Sequence, residues 1–124
     1  MKKILWLDDR RDPMQSDSSG NYQYEKFDLI DPKIKDRYIV WVHDYEQFCD
    51  EIMVNGLPDL VCFDHDLGDH NPEMTGYDAA KWLVKYCDIH DKELPLYAIQ
   101  SANPVGAENI RCYLENYKKS KSEL

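Results

Sequence analysis

Residues 60–69, LVCFDHDLGD, decide how this chain folds: a short apolar run breaks off into Asp64, His65 and Asp66. Leu60, Val61, Cys62 and Phe63 suit a strand buried on both faces, as in parallel sheets covered by helices. In open α/β sheets the carboxyl edge of the strands is where loops diverge and leave a crevice for ligands. Residues 3–7, KILWL, form a second apolar run that ends in Asp8 and Asp9. In a parallel sheet both acidic clusters reach the same edge. Crowded carboxylates repel one another and are costly to desolvate unless a cation joins them or one takes up a proton. A hard divalent ion such as Mg²⁺ or Mn²⁺ is the simplest partner, because it prefers oxygen ligands and shares them with substrate phosphates. The bland alternative is that these residues are solvated turn formers at strand ends.

Working outward, residues 38–42 (YIVWV) read as a strand. Asp44 caps a following helix whose buried face carries Tyr45, Phe48, Cys49, Ile52 and Met53, with Gly56 at its stop. Thr75 caps a helix over 76–88 with Tyr77, Ala80, Leu83, Val84 and Cys87 inward. A last strand spans 96–100. Asn103-Pro104 then opens a final helix with Val105, Ile110, Tyr113, Leu114 and Tyr117 on its apolar side. The polar stretch 14–37 reads as a mobile loop and a candidate lid, and 118–124 as a frayed tail. Trp6, Trp41 and Trp82 lie within regular elements and read as core; His43, His70 and His90 read as surface residues.

The 124 residues suit a single domain. Fifteen basic against 24 acidic residues give a net charge of −9, which argues against an extended nucleic-acid groove built on Lys and Arg. It leaves room for a nucleotide or RNA end held through a metal. No run is long enough to span a bilayer and Met-Lys-Lys leads straight into a strand, so a cytoplasmic protein is expected. Cys49, Cys62, Cys87 and Cys112 form no C-x-x-C pair and read as buried free thiols.

An acidic pair after the first strand, an Asp ending the third, a helix opened by G-Y-D and a Ser ending the fourth together resemble the receiver domains of two-component signalling. That resemblance implies a receiver-like (flavodoxin-like) α/β fold, a parallel sheet of about four strands flanked by helices and truncated before a fifth strand that would carry a Lys. Asp8 and Asp9 would be its acidic metal-binding pair, Asp64 its phosphate acceptor, Asp66 a metal ligand through its backbone carbonyl, and Ser101 its phosphoryl-contacting hydroxyl. A closer resemblance covers nearly the whole chain. The D-D-x-R-x-P start, F-D-H-D-L-G-D, T-G-Y-D-A-A-K-W-L and S-A-N-P-V-G are similar to the cyclic-phosphate processing receiver-like family, frequent in phage genomes. By that match Asp8, Asp9, Arg11, Asp64, His65, Asp66, Ser101 and Asn103 line the site, and a phage-encoded protein would work in the host cytoplasm. The departure is Gln100, where that family commonly has a His.

For chemistry on a cyclic phosphate of a nucleotide or RNA terminus, Asp8, Asp9 and Asp64 suit a metal, with Asp66 beside them. Arg11 suits a bidentate phosphate clamp, His65 a proton donor, and Ser101 and Asn103 phosphate contacts at a positive helix end. Asn103 alternatively only caps its helix. Two other functions remain open: a switch phosphorylated on Asp64, and a nucleotide sensor without turnover. F-D-H-D also superficially resembles haloacid-dehalogenase phosphatases and Toprim nucleases, which fit the acidic pair and short length less well. An EF-hand loop fails because Asp69 stands where its glycine is needed.

Overall fold

The computed structural model describes residues 2–14, 37–67, 74–101 and 103–122. Apart from its end residues, the loop expected over 14–37 lies outside the described residues, as do Asp69 and His70. Four strands and three helices alternate: β1 Lys2–Leu7, β2 Arg37–Val42, α1 Tyr45–Asn55, β3 Leu60–Phe63, α2 Gly76–Ile89, β4 Leu96–Ile99 and α3 Pro104–Ser122. The strands form one parallel sheet in the order β2-β1-β3-β4, as a receiver-like α/β fold requires. The two most buried strands, β1 and β3, occupy its centre, where both faces are covered.

Side-chain alternation divides the sheet into two faces. Leu5, Leu7, Val42, Val61 and Phe63 pack against Phe48 and Ile52 of α1, Ala79, Ala80 and Leu83 of α2, and Ile110 and Leu114 of α3. Ile4, Trp6, Leu60 and Cys62 form the opposite cluster, with Ile39, Trp41 and Ala98 against it. Local signals set the helix ends. Asp44 accepts from Gln47 N at 2.8 Å and starts α1. Thr75 and Asp78 form a reciprocal capping box at α2. Asn103 Oδ1 accepts from Gly106 N at 3.0 Å and starts α3.

Five expectations need correction. Met53 and Val105 lie on the solvent sides of α1 and α3, at 66% and 71% exposure, because each helix buries a narrower stripe than its apolar residues cover. Cys49, Cys62 and Cys87 are buried free thiols, whereas Cys112 is exposed and its Sγ meets Glu108 Oε1 at 3.3 Å. The last helix continues through the expected frayed stretch to Ser122, where Lys121 Nζ pairs with Asp88 Oδ1 at 3.0 Å. His43 is half-buried, its ring tilted at 37° against Trp41 with centroids 4.2 Å apart. Among the described residues no helix is long and apolar enough to cross a membrane.

Candidate metal and phosphate site

The parallel ladder continues one residue beyond the strands. Asp8 N donates to Val42 O at 3.1 Å, Asp64 N to Leu7 O at 3.0 Å and Gln100 N to Phe63 O at 2.9 Å. Extending the register by that residue sets His43, Asp8, Asp64 and Gln100 in one row across the sheet's carboxyl edge. By alternation the row shares the face of Trp41, Trp6, Cys62 and Ala98. Asp8, Asp64 and Gln100 are 1%, 8% and 1% exposed; among the described residues the only other buried polar side chain is Lys3, paired with Glu51 at 2.8 Å. Three of four buried polar groups thus line one edge of the sheet.

The loop after β1 is held from below. Trp6 and Trp41 are register partners, and their indoles donate to Arg11 O at 2.9 Å and Asp8 O at 2.7 Å. Asp8 Oδ1 accepts from Arg10 N and Arg11 N, both at 2.9 Å, so the carboxylate also shapes its own turn. Asp8 Oδ2 is buried without a hydrogen-bond donor among the described residues, and Arg11 Nη1 lies 3.8 Å from it. Carboxylate oxygens of Asp8, Asp9 and Asp64 lie within 4.8 Å of one another. Burial, then the Asp8 carboxylate, push the Asp64 carboxyl up to about 7; Asp9 and Asp66 add to the rise and Arg11 opposes it.

Two glycines let the helices reach the edge. A Cβ on Gly76 would lie 1.9 Å from Asp64 O, so the start of α2 abuts the β3 backbone, and Gly76 N donates to His65 O at 2.8 Å. A Cβ on Gly106 would lie 2.3 Å from His65 Cγ. The His65 ring therefore rests against the first turn of α3, with Nδ1 2.8 Å from Asp66 Oδ1. That bond is the main reason the Asp66 carboxyl titrates below its usual range. Asn103 Nδ2 approaches the same oxygen at 3.4 Å, while Ser101 Oγ accepts from Asn103 N at 3.0 Å.

The expected residues separate into two neighbouring groups. Asp8, Asp9, Asp64 and Arg11 come together on one side. His65, Asp66, Asn103 and Ser101 form a chain at the start of α3. The Asp66 carboxylate stands in the second group, outside the three-carboxylate cluster. Asn103 does cap α3. Reading residues missed the two indoles as holders of the acidic loop. Their equivalent places in two adjacent apolar runs were the available signal.

A family model described as a cyclic-phosphate processing receiver domain matches residues 3–116. The chain belongs to the cyclic-phosphate processing receiver family. A solved structure of a trimeric coiled-coil segment of yeast Spc42 fused to another structure is similar in fold, with a TM-score of 0.54 and 20% identity over 90% of this chain. The chain spans 59% of the length of that structure. A search among curated proteins found no match. In this receiver the acidic pair of β1 and the acid ending β3 form a cluster that could bind a metal.

Proposed function

We propose that this receiver binds Mg²⁺ or Mn²⁺ at Asp8, Asp9 and Asp64 and hydrolyses a cyclic phosphodiester on a nucleotide or RNA end. The observation that carries the reading is the meeting of three carboxylates, one of whose buried oxygens, Asp8 Oδ2, has no hydrogen-bond donor among the described residues. The donors fit the ion: all are hard oxygens, and a buried carboxylate oxygen without a donor is relieved by a cation. When bound, the ion supplies neutralising charge at phosphorus and makes water a better nucleophile. Asp66 would add its backbone carbonyl.

Hydrolysis joins a water oxygen to phosphorus and breaks one P–O bond to the sugar. The water loses a proton and the departing sugar oxygen gains one. Asp64, beside the ion at the end of β3, takes the first role as general base. His65 takes the second: Asp66 accepts at Nδ1, which orients the ring and leaves Nε2 to carry the proton. Arg11, Ser101 and Asn103 hold phosphate oxygens. The Ser101 hydroxyl accepts from Asn103 N and so keeps its own proton to donate.

The test is chelator-reversible hydrolysis of nucleoside 2′,3′-cyclic phosphates by the purified protein. Turnover that needs Mg²⁺ or Mn²⁺ and is lost in Asp64→Asn supports the reading; turnover unchanged by that substitution refutes it. A second reading, in which Asp64 accepts a phosphoryl group as a switch, is favoured by the place of Asp64 at a strand end beside Asp8 and Asp9.

A further inference from the structure

Gln100 has no role in the chemistry above, yet it is one of the most completely buried side chains of the protein. It stands in the row of Asp8 and Asp64, one strand beyond Asp64. Its Nε2 donates to Leu7 O at 3.2 Å, so the side chain reaches across β3 to the residue preceding Asp8. Leu7 O also accepts from Asp64 N at 3.0 Å. One carbonyl therefore ties Asp8, Asp64 and Gln100 together. The Gln100 backbone oxygen accepts from Arg11 Nη1, which fixes the guanidinium that lies 3.8 Å from Asp8 Oδ2.

The other amide atom, Gln100 Oε1, is buried and has no donor among the described residues. Such an acceptor is costly to keep in a dry interior unless a donor arrives. Two donorless buried acceptors, Asp8 Oδ2 and Gln100 Oε1, thus belong to one row, on either side of Asp64. A bare cation answers the first. A hydrated one answers both, because Mg²⁺ and Mn²⁺ keep part of their water shell and each of those waters donates hydrogen bonds.

Resting on the cation reading of the proposed function, we propose that Gln100 is a positioning residue of the cation site. Its amide nitrogen sets the spacing of Asp8 and Asp64 through Leu7 O, and its amide oxygen accepts a hydrogen bond from the hydration shell of a divalent cation. A neutral amide suits this place because a fourth carboxylate would add repulsion, and an alkyl side chain would offer no acceptor.

Mn²⁺ binding, followed by loss of the free-ion electron paramagnetic resonance signal, tests this in the wild type, Gln100→Met and Asp64→Asn, with thermal melting alongside. Gln100→Met keeps the side-chain volume and is expected to bind Mn²⁺ about ten- to a hundredfold more weakly, the usual effect of losing a partner just outside the ligand shell, with melting unchanged or higher. A merely structural role would lower melting and leave the affinity of the folded fraction alone. Affinity within about twofold of wild type in a folded Gln100→Met overturns the proposal. If that variant does not fold, the wild type still decides. Titration with Mg²⁺ should shift the Gln100 side-chain amide resonances over the same concentrations as the Asp64 backbone amide, and fixed Gln100 signals during saturation overturn the proposal. A wild type that binds no Mn²⁺ overturns this inference and the cation reading together, whereas normal binding with an indifferent Gln100 overturns this inference alone.

Discussion

Gly106 of α3 faces the imidazole of His65 so closely that a Cβ there would meet Cγ at 2.3 Å. The helix start and the histidine therefore share one position, and a methyl group forces one of them to move. Gly106→Ala is expected to destabilise by about 1–3 kcal/mol, the range for overpacking a filled interior, and to displace His65 from Asp66. In a His65→Ala background the same substitution should cost much less, since the ring it meets is gone. Urea denaturation of the four proteins reads this coupling directly.

Asp64 makes stability depend on pH. Its folded carboxyl titrates at about 7 against an ordinary 3.8, chiefly because it is buried and beside Asp8. The folded state thus holds this proton more tightly than the unfolded state. Metal-free protein should lose stability as pH rises from about 4 to about 7 and then level off, by on the order of 4 kcal/mol for a shift of this size. Asp64→Asn should flatten that slope and melt higher than the wild type at pH 8 without divalent cations.

Mg²⁺ should act in the opposite sense. Free ion at a hundredfold excess over its dissociation constant adds about 2.7 kcal/mol, and more of that gain should appear at pH 8 than at pH 5, where a protonated Asp64 does not ligate. Asp8→Asn and Asp64→Asn should remove the gain. Asp66→Asn should keep it, because that carboxylate turns to His65 and Asn103. Melting curves with and without Mg²⁺ at the two pH values check each variant.

Trp41→Phe keeps an aromatic ring against the sheet and deletes the donor to Asp8 O. Losing that hydrogen bond should cost about 1 kcal/mol and loosen the acidic loop, so the Mg²⁺-dependent rise in melting temperature should shrink while the fold persists. Equal Mg²⁺ stabilisation in the variant would mean that the indole does not position the loop.

Much of this architecture was legible because apolar runs of four to six residues, three of them followed by a cap and a helical stripe, encode a parallel sheet. The strand ends at Asp8 and Asp64 follow from the same alternation, so the acidic cluster could be read without coordinates. Asp66 was harder. The resemblance offered only its backbone carbonyl to the cation, and strand alternation alone would put its carboxylate on the side of Asp64; His65 and Asn103 instead draw that carboxylate toward α3. Gln100 was visible only as a departure from a pattern. That its amide spans β3 to reach Leu7 O depends on strand order, which no local stretch contains. Met53 and Val105 show the converse: apolar residues at helical spacing reach past the stripe that the sheet can cover.

The most direct measurement is phosphorus NMR of the wild type and Asp64→Asn, each incubated with Mg²⁺ or Mn²⁺ and a mixture of nucleoside 2′,3′-cyclic phosphates, cyclic RNA termini and cyclic dinucleotides. One cyclic phosphate resonance is expected to be replaced by a monoester resonance in the wild type alone, and a chelator is expected to stop the change. A mixture left intact by the wild type, with metal-dependent line broadening or with no interaction, would contradict hydrolysis and leave a sensor or a phosphorylated switch respectively.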